Sequence, residues 1–105
     1  MLESVYELVL AEALARKGYK VARQFPVPLE FDGLKFDAAF RVDILVDDRL
    51  VIEIKSVEEL KRVHAKQVLT YLRLMKLPVG LLLNFSAYKM TEGIRRLVND
   101  YRPEI

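Results

Sequence analysis

Apolar residues return at three- and four-residue intervals through Leu2, Val5, Tyr6, Val9, Leu10, Ala13 and Leu14, the spacing of one helix face. Arg16-Lys17 and then Gly18 close the pattern with a basic last turn and a residue suited to a left-handed cap, so an amphipathic helix is predicted here. Its stripe is already in phase at Leu2 with no capping residue before it, which is expected of a chain whose upstream sequence has been lost. From Tyr19 the period changes to two. Tyr19, Val21, Arg23 and Phe25, then Val27, Leu29 and Phe31, predict a strand bent or broken at Pro26 and Pro28, residues that suit a sheet edge or a bulge because they lack an N–H. Asp32-Gly33 signals a turn. A second strand is predicted between Leu34 and Phe40, followed or continued by Arg41–Val46, and a third over Leu50–Lys55 after Asp47-Asp48-Arg49.

These three strands make an antiparallel meander. Ser56-x-x-Glu59 offers a capping box for a helix reaching about Lys76, and a start one turn later near Lys61 is the alternative; Pro78 closes it. Val79 to Phe85 is a continuous apolar run, as in a strand buried on both faces. Ile94, Leu97, Val98 and Tyr101 predict a short final helix. The order α-β-β-β-α-β-α is that of an α/β or α+β layered domain, a mixed sheet with an antiparallel meander flanked by helices. At 105 residues, with no linker, repeat or low-complexity stretch, residues 1–105 read as a single domain.

Composition then narrows the chemistry. The absence of cysteine excludes disulfides, thiolate zinc and a cysteine nucleophile, and one histidine, His64, excludes a histidine-rich metal site within one chain. Any metal must therefore be held by oxygen. No apolar run reaches the ~18 residues that span a bilayer. Glu3 and Glu7 stand where a secretory signal carries positive charge, so no membrane partner and a cytoplasmic location are expected. A net charge of +2 is too small for the footprint of a dedicated nucleic-acid binder, yet compatible with a local basic groove.

The third strand carries the most specific signal. If Val46 pairs with Leu50 across a three-residue loop, Ile44 faces Ile52 and Val42 faces Ile54, and all six apolar residues share one face. Asp43 then lies opposite Glu53, and Arg41 opposite Lys55. Like charges facing each other at ~4.5–5.5 Å between Cβ atoms are destabilising and call for compensation. One remedy is a divalent cation, since two carboxylates, a backbone carbonyl and waters approach the oxygen shell of Mg²⁺, with the Lys55 ammonium within reach of the same spot. The alternative is a solvated face cross-linked by Asp43–Lys55 or Arg41–Glu53 ion pairs. Leu45 and Val51 extend that face with apolar groups and argue that it is covered. On the long helix His64, Gln67, Tyr71 and Leu74 share a stripe with Leu60, where a lone His or Tyr is more often a packing residue. Glu3 and Glu7 are likewise more often surface residues.

Asp43 followed by Glu53-Ile54-Lys55 after a hairpin resembles the D…(D/E)-x-K signature of the PD-(D/E)XK nuclease superfamily, and Gln67-Val68-Leu69-Thr70-Tyr71 resembles the QxxxY element of its exonuclease-like branch. Leu2 to Glu7, with Glu3 and Tyr6 on the E and Y, is similar to the helix that names the GxxExxY family within it. Arg23 to Pro28, Arg41 to Val46, His64 to Gln67 and Leu81 to Phe85 resemble that family's remaining blocks in the same order, while its glycine would fall one residue before Met1. The resemblance runs from Leu2 to about Val98.

It implies a restriction-endonuclease-like core and metal-dependent hydrolysis of nucleic-acid phosphodiesters, DNA ahead of RNA. On this implication Asp43 and Glu53 ligate Mg²⁺ or Mn²⁺ with the Ile54 carbonyl, and Glu3 adds a ligand directly or through water. Lys55 orients the attacking water or neutralises developing charge. Gln67 and Tyr71 hold the water or the substrate, His64 contacts phosphate, and Tyr6 lies on the substrate side. Lys61, Arg62, Lys66, Arg95 and Arg96 are candidate backbone contacts. The rival expectation is a nuclease-fold binding or assembly module without turnover, acting as a homodimer or within a larger nucleic-acid-processing complex.

Overall fold

The computed structural model describes residues 2–86 and 90–99, with side chains at all of these except 30, 31, 35–39, 90 and 91. Helix α1 (Leu2–Arg16) is followed by strands β1 (Val21–Phe31), β2 (Leu34–Val46) and β3 (Leu50–Lys55), helix α2 (Arg62–Met75), strand β4 (Val79–Asn84), a helical turn α3 (Met90–Gly93) and strand β5 (Ile94–Val98). The strands form one mixed sheet in the order β1-β2-β3-β4-β5, antiparallel throughout except for the parallel pair β3–β4. That parallel pair requires a crossover, and α2 supplies it.

The two layers of core follow from the sheet's two faces. On one side Ala11 of α1 packs with Ile44, Val46, Ile52, Ile54 and Leu83, helped by Tyr6, Leu10 and Leu14. On the other Val68, Tyr71 and Leu72 of α2 pack with Val27, Val42, Leu45, Val51 and Leu82. Gly80 allows α2 to approach closely: a Cβ there would lie 2.7 Å from Val68 Cγ1. The apolar run of β4 is thus buried between two helices, as parallel pairing demands.

Turns obey their chemistry. Asp32 and Gly33 both take positive φ, +52° and +78°, as a two-residue hairpin requires. Asp47 and Asp48 are left-handed too, and Lys20 secures them, its N–H donating to Asp47 Oδ1 (2.8 Å) and its ammonium to Asp48 Oδ2 (2.7 Å). Pro26 and Pro28 lie on the edge strand β1, which runs on as one strand with a register shift between Val27 and Leu29. Helix α2 takes the later of the two starts, at Arg62 after Lys61, whose N–H donates to His64 Nδ1 (2.9 Å). Ser56 instead bonds Ser86 across the sheet end at 2.7 Å.

Three expectations need correction. Residues 94–98 form an edge strand on β4, not a helix, and Tyr101 lies outside the described residues. Spacings of three and one fit either element in so short a run, and the open edge of β4 offers the backbone partners. The predicted stripe of α1 divides: Leu10 and Leu14 face the sheet, while Leu2, Val5 and Val9 are exposed, because the helix is apolar nearly all round and its inward face runs through Glu7 and Ala11. Val42 leaves the face of Ile44 and joins Leu45 and Val51 under α2. The cause of that switch is also what builds the site.

Candidate metal and phosphodiester site

The β2–β3 ladder keeps the expected register through Val46–Leu50, Leu45–Val51 and Ile44–Ile52. Beyond Ile44 it opens. The Asp43 N–H donates to Glu53 Oε1 (2.9 Å) and the Ile54 N–H donates to Asp43 Oδ2 (2.8 Å), so carboxylates take hydrogens that carbonyls take in a regular ladder. The neighbouring strand changes phase at the same level. Gln24 adopts φ +51° in the middle of β1, and Ala22 and Phe25, three residues apart, both face α2, as Val42 and Leu45 do. Backbone irregularities in both strands therefore bring Gln24 and Asp43 together between α1 and α2.

Glu53 is buried, 3% exposed, and Asp43 is half-buried. Burial, then the Asp43 charge, pushes the Glu53 carboxyl up to about 8. Burial likewise raises Asp43, opposed by the hydrogen bond from Ile54 and reinforced by the charge of Glu7. At neutral pH Glu53 thus keeps its proton when no cation is near. Lys55 draws both carboxyls toward ionisation from a distance. Among the described residues neither the Asp43–Lys55 nor the Arg41–Glu53 ion pair forms. The charged face is not a solvated one: Leu45 and Val51 beside it are buried under α2.

A hard dication suits this pair, because two converging carboxyls in a dry setting present oxygen donors with more proton affinity than they have in water. Among the described residues no three His, Cys, Asp or Glu side chains gather into a group that could hold a metal ion. Glu3 is exposed and shares with Asp43 a cleft of about 240 Å³ that Ser4, Glu7 and Gln24 also line.

The remaining sequence-derived residues are distributed around this centre. Gln67 Nε2 donates to Tyr71 Oη (3.0 Å), and Tyr71, its ring in the core, is raised by burial and then by the Glu53 charge, so its hydroxyl stands in the field of the pair. His64 caps α2 beside Lys61, Val57, Glu58 and Glu59, away from the cleft that Asp43 lines. The Tyr6 ring stacks on Phe85 with centroids 4.3 Å apart. Asn84 fastens the loop after β3, accepting from Val57 N–H (3.1 Å) and donating to Val57 O (2.8 Å).

The expectation of a surface position for Glu7 is overturned: it is buried, and its partners Arg23 and Gln24 were not singled out in the sequence. Glu7 is 4% exposed, accepts two hydrogen bonds from Arg23 at Oε2 (3.0 and 2.7 Å), and accepts Gln24 Nε2 at Oε1 (2.6 Å). Its signal was present: Glu7, Ala11 and Leu14 stand at the four- and three-residue intervals of an inward face.

A five-stranded mixed sheet between helices, opened at one ladder by an Asp and a Glu with a Lys two residues on, defines a restriction-endonuclease-like nuclease fold. Residues 1–97 match the PD-(D/E)XK nuclease superfamily, and the chain belongs to it. The crystal structure of SSO0001 is similar in fold, with a TM-score of 0.68 and 19% identity over 93% of this chain and 50% of that one. The chain thus spans half the length of SSO0001. Curated proteins yield no match.

Proposed function

We propose that this domain, residues 1–105 as one unit of the GxxExxY family acting in the cytoplasm, is a metal-dependent nuclease that hydrolyses phosphodiester bonds, in DNA ahead of RNA. The observation that carries the reading is the cross-strand exchange between Asp43 and Glu53, two acidic groups of raised proton affinity with Lys55 two residues on. Asp43, Glu53 and the Ile54 carbonyl are the groups that would hold Mg²⁺ or Mn²⁺, with Glu3 reaching through water. A dication bound there supplies Lewis-acid polarisation of the scissile phosphate and a more acidic attacking water.

Lys55 orients that water and offsets the charge that grows on the phosphoryl oxygens. Gln67, tied to Tyr71, holds the water or the substrate from the α2 side. His64 contacts phosphate only on strands that reach the α2 N-terminus. Tyr6 acts on substrate indirectly, its face being taken by Phe85. The test is cleavage of a mixed DNA and RNA panel with Mn²⁺: Asp43→Ala, Glu53→Ala and Lys55→Ala each abolish it while circular dichroism stays native. Cleavage at the wild-type level in these variants would assign the activity to a contaminant or another site.

A second reading, a catalytically silent assembly module forming a homodimer, is favoured by one observation: Leu2, Val5, Leu8 and Val9 lie exposed on the outer side of α1. Sedimentation at micromolar concentration separates the two. Silence toward Mn²⁺ in calorimetry, together with a dimer that Val9→Glu dissociates, would replace the nuclease reading.

A further inference from the structure

Gln24 combines a strained backbone with a bridging side chain. A φ of +51° at a non-glycine residue in mid-strand is strained, and such outliers persist where the surroundings impose them. The surroundings here are polar. Arg41 Nη1 donates to the Gln24 carbonyl at 3.4 Å, and the Gln24 amide nitrogen lies 2.6 Å from Glu7 Oε1 and 3.4 Å from Asp43 Oδ1. Glu7 is itself immobilised, since Arg23 claims its other oxygen twice.

We propose that Gln24 is a positioning residue for the Asp43 carboxylate, anchored on the buried Glu7–Arg23 pair, and that Glu7 is the anchor of this chain and not a ligand. The inference rests on the reading of Asp43 as a cation ligand. Two restraints define how the Asp43 carboxylate is turned: Ile54 N–H holds Oδ2 at 2.8 Å, and the Gln24 amide steers Oδ1 toward the cleft that both residues line. Both Glu7 oxygens are engaged with protein donors and the side chain is nearly buried, so those bonds compete with any ion in the cleft that it also lines. Groups that orient a ligand from behind contribute about 10–100-fold to metal affinity without touching the metal.

Gln24→Gly separates positioning from simple support. Glycine is at home at positive φ, so relief of backbone strain offsets the lost hydrogen bond and the melting temperature stays close to wild type. Mn²⁺ affinity measured by calorimetry should nevertheless fall about tenfold. Gln24→Asn, which also tolerates the left-handed region but is one carbon too short to bridge Glu7 and Asp43, should lose affinity as well and serves if the glycine variant is poorly folded. Asp43→Ala is the control. If Asp43→Ala abolishes binding but both Gln24 variants stay within about threefold of wild type, Gln24 does not position the ligand; if wild-type protein binds no Mn²⁺, the cation site itself is refuted and this inference goes with it.

Discussion

A carboxyl group that is easier to protonate folded than unfolded works against its own domain as the pH rises. Glu53 titrates at about 8 in the fold against an ordinary value of 4.5, so between these limits the native state holds a proton that the unfolded chain has released. Its stabilising contribution is complete below about 4.5 and is lost as the pH climbs through about 8. Urea midpoints of the metal-free protein should therefore decline from pH 5 to pH 8.5, and Glu53→Gln should flatten that decline. Burial sets this behaviour first, and then the Asp43 charge, which also opposes ionisation, while Lys55 favours it. Asp43→Asn keeps an oxygen for the Ile54 N–H and removes the facing charge. We expect it to stabilise the metal-free protein by about 1 kcal/mol in chemical denaturation while abolishing Mn²⁺ binding, the trade-off common at sites built for function.

At the scale of elements, α1 is tied to β1 by Arg23 and Glu7 and α2 is seated on β4 by Gly80. Arg23→Ala strands a buried carboxylate and should cost about 2 kcal/mol, with Arg23's own partial exposure moderating the loss; adding Glu7→Ala should recover part of it, measured as a double-mutant cycle. Gly80→Ala forces a methyl against Val68 Cγ1 and should cost about 1–3 kcal/mol, less in the background of Val68→Ala. Most of this layer was legible in the sequence. Alternation and the spacing of turn residues located β2, β3 and their pairing, because one face had to be buried. The final strand was not legible, since its partner is an edge that only the assembled sheet provides. Nor was the switch of Val42, for strict alternation presumes a regular backbone and the break at Asp43 and Gln24 is backbone geometry. The approach of Asp43 to Glu53 could be read from the hairpin register, whereas Glu7 was hidden by treating α1 as a simple apolar stripe.

For the whole molecule, the candidate site lies where two helices and three strands converge, so on the proposed reading ion binding and global stability are linked. Mn²⁺ at a hundred times its dissociation constant should add about 2.7 kcal/mol, a rise of roughly 10 °C or more in melting temperature for a domain of this size, reversed by EDTA and absent in Asp43→Ala. The gain should be larger at pH 8 than at pH 5, where protons compete for Glu53. The register shift between Val27 and Leu29 carries one more consequence. It divides the distal arm of the hairpin, beyond Val27 and Phe40, from the end that holds the acids, where the β1–β2 register is constant. Extra residues grafted at the Asp32-Gly33 tip lengthen that arm and leave the acids where they are, whereas a single residue inserted between Arg23 and Phe25 rotates the amide away from Asp43. The longest hairpin of the fold is thus tolerant of added sequence at its tip and intolerant near its root.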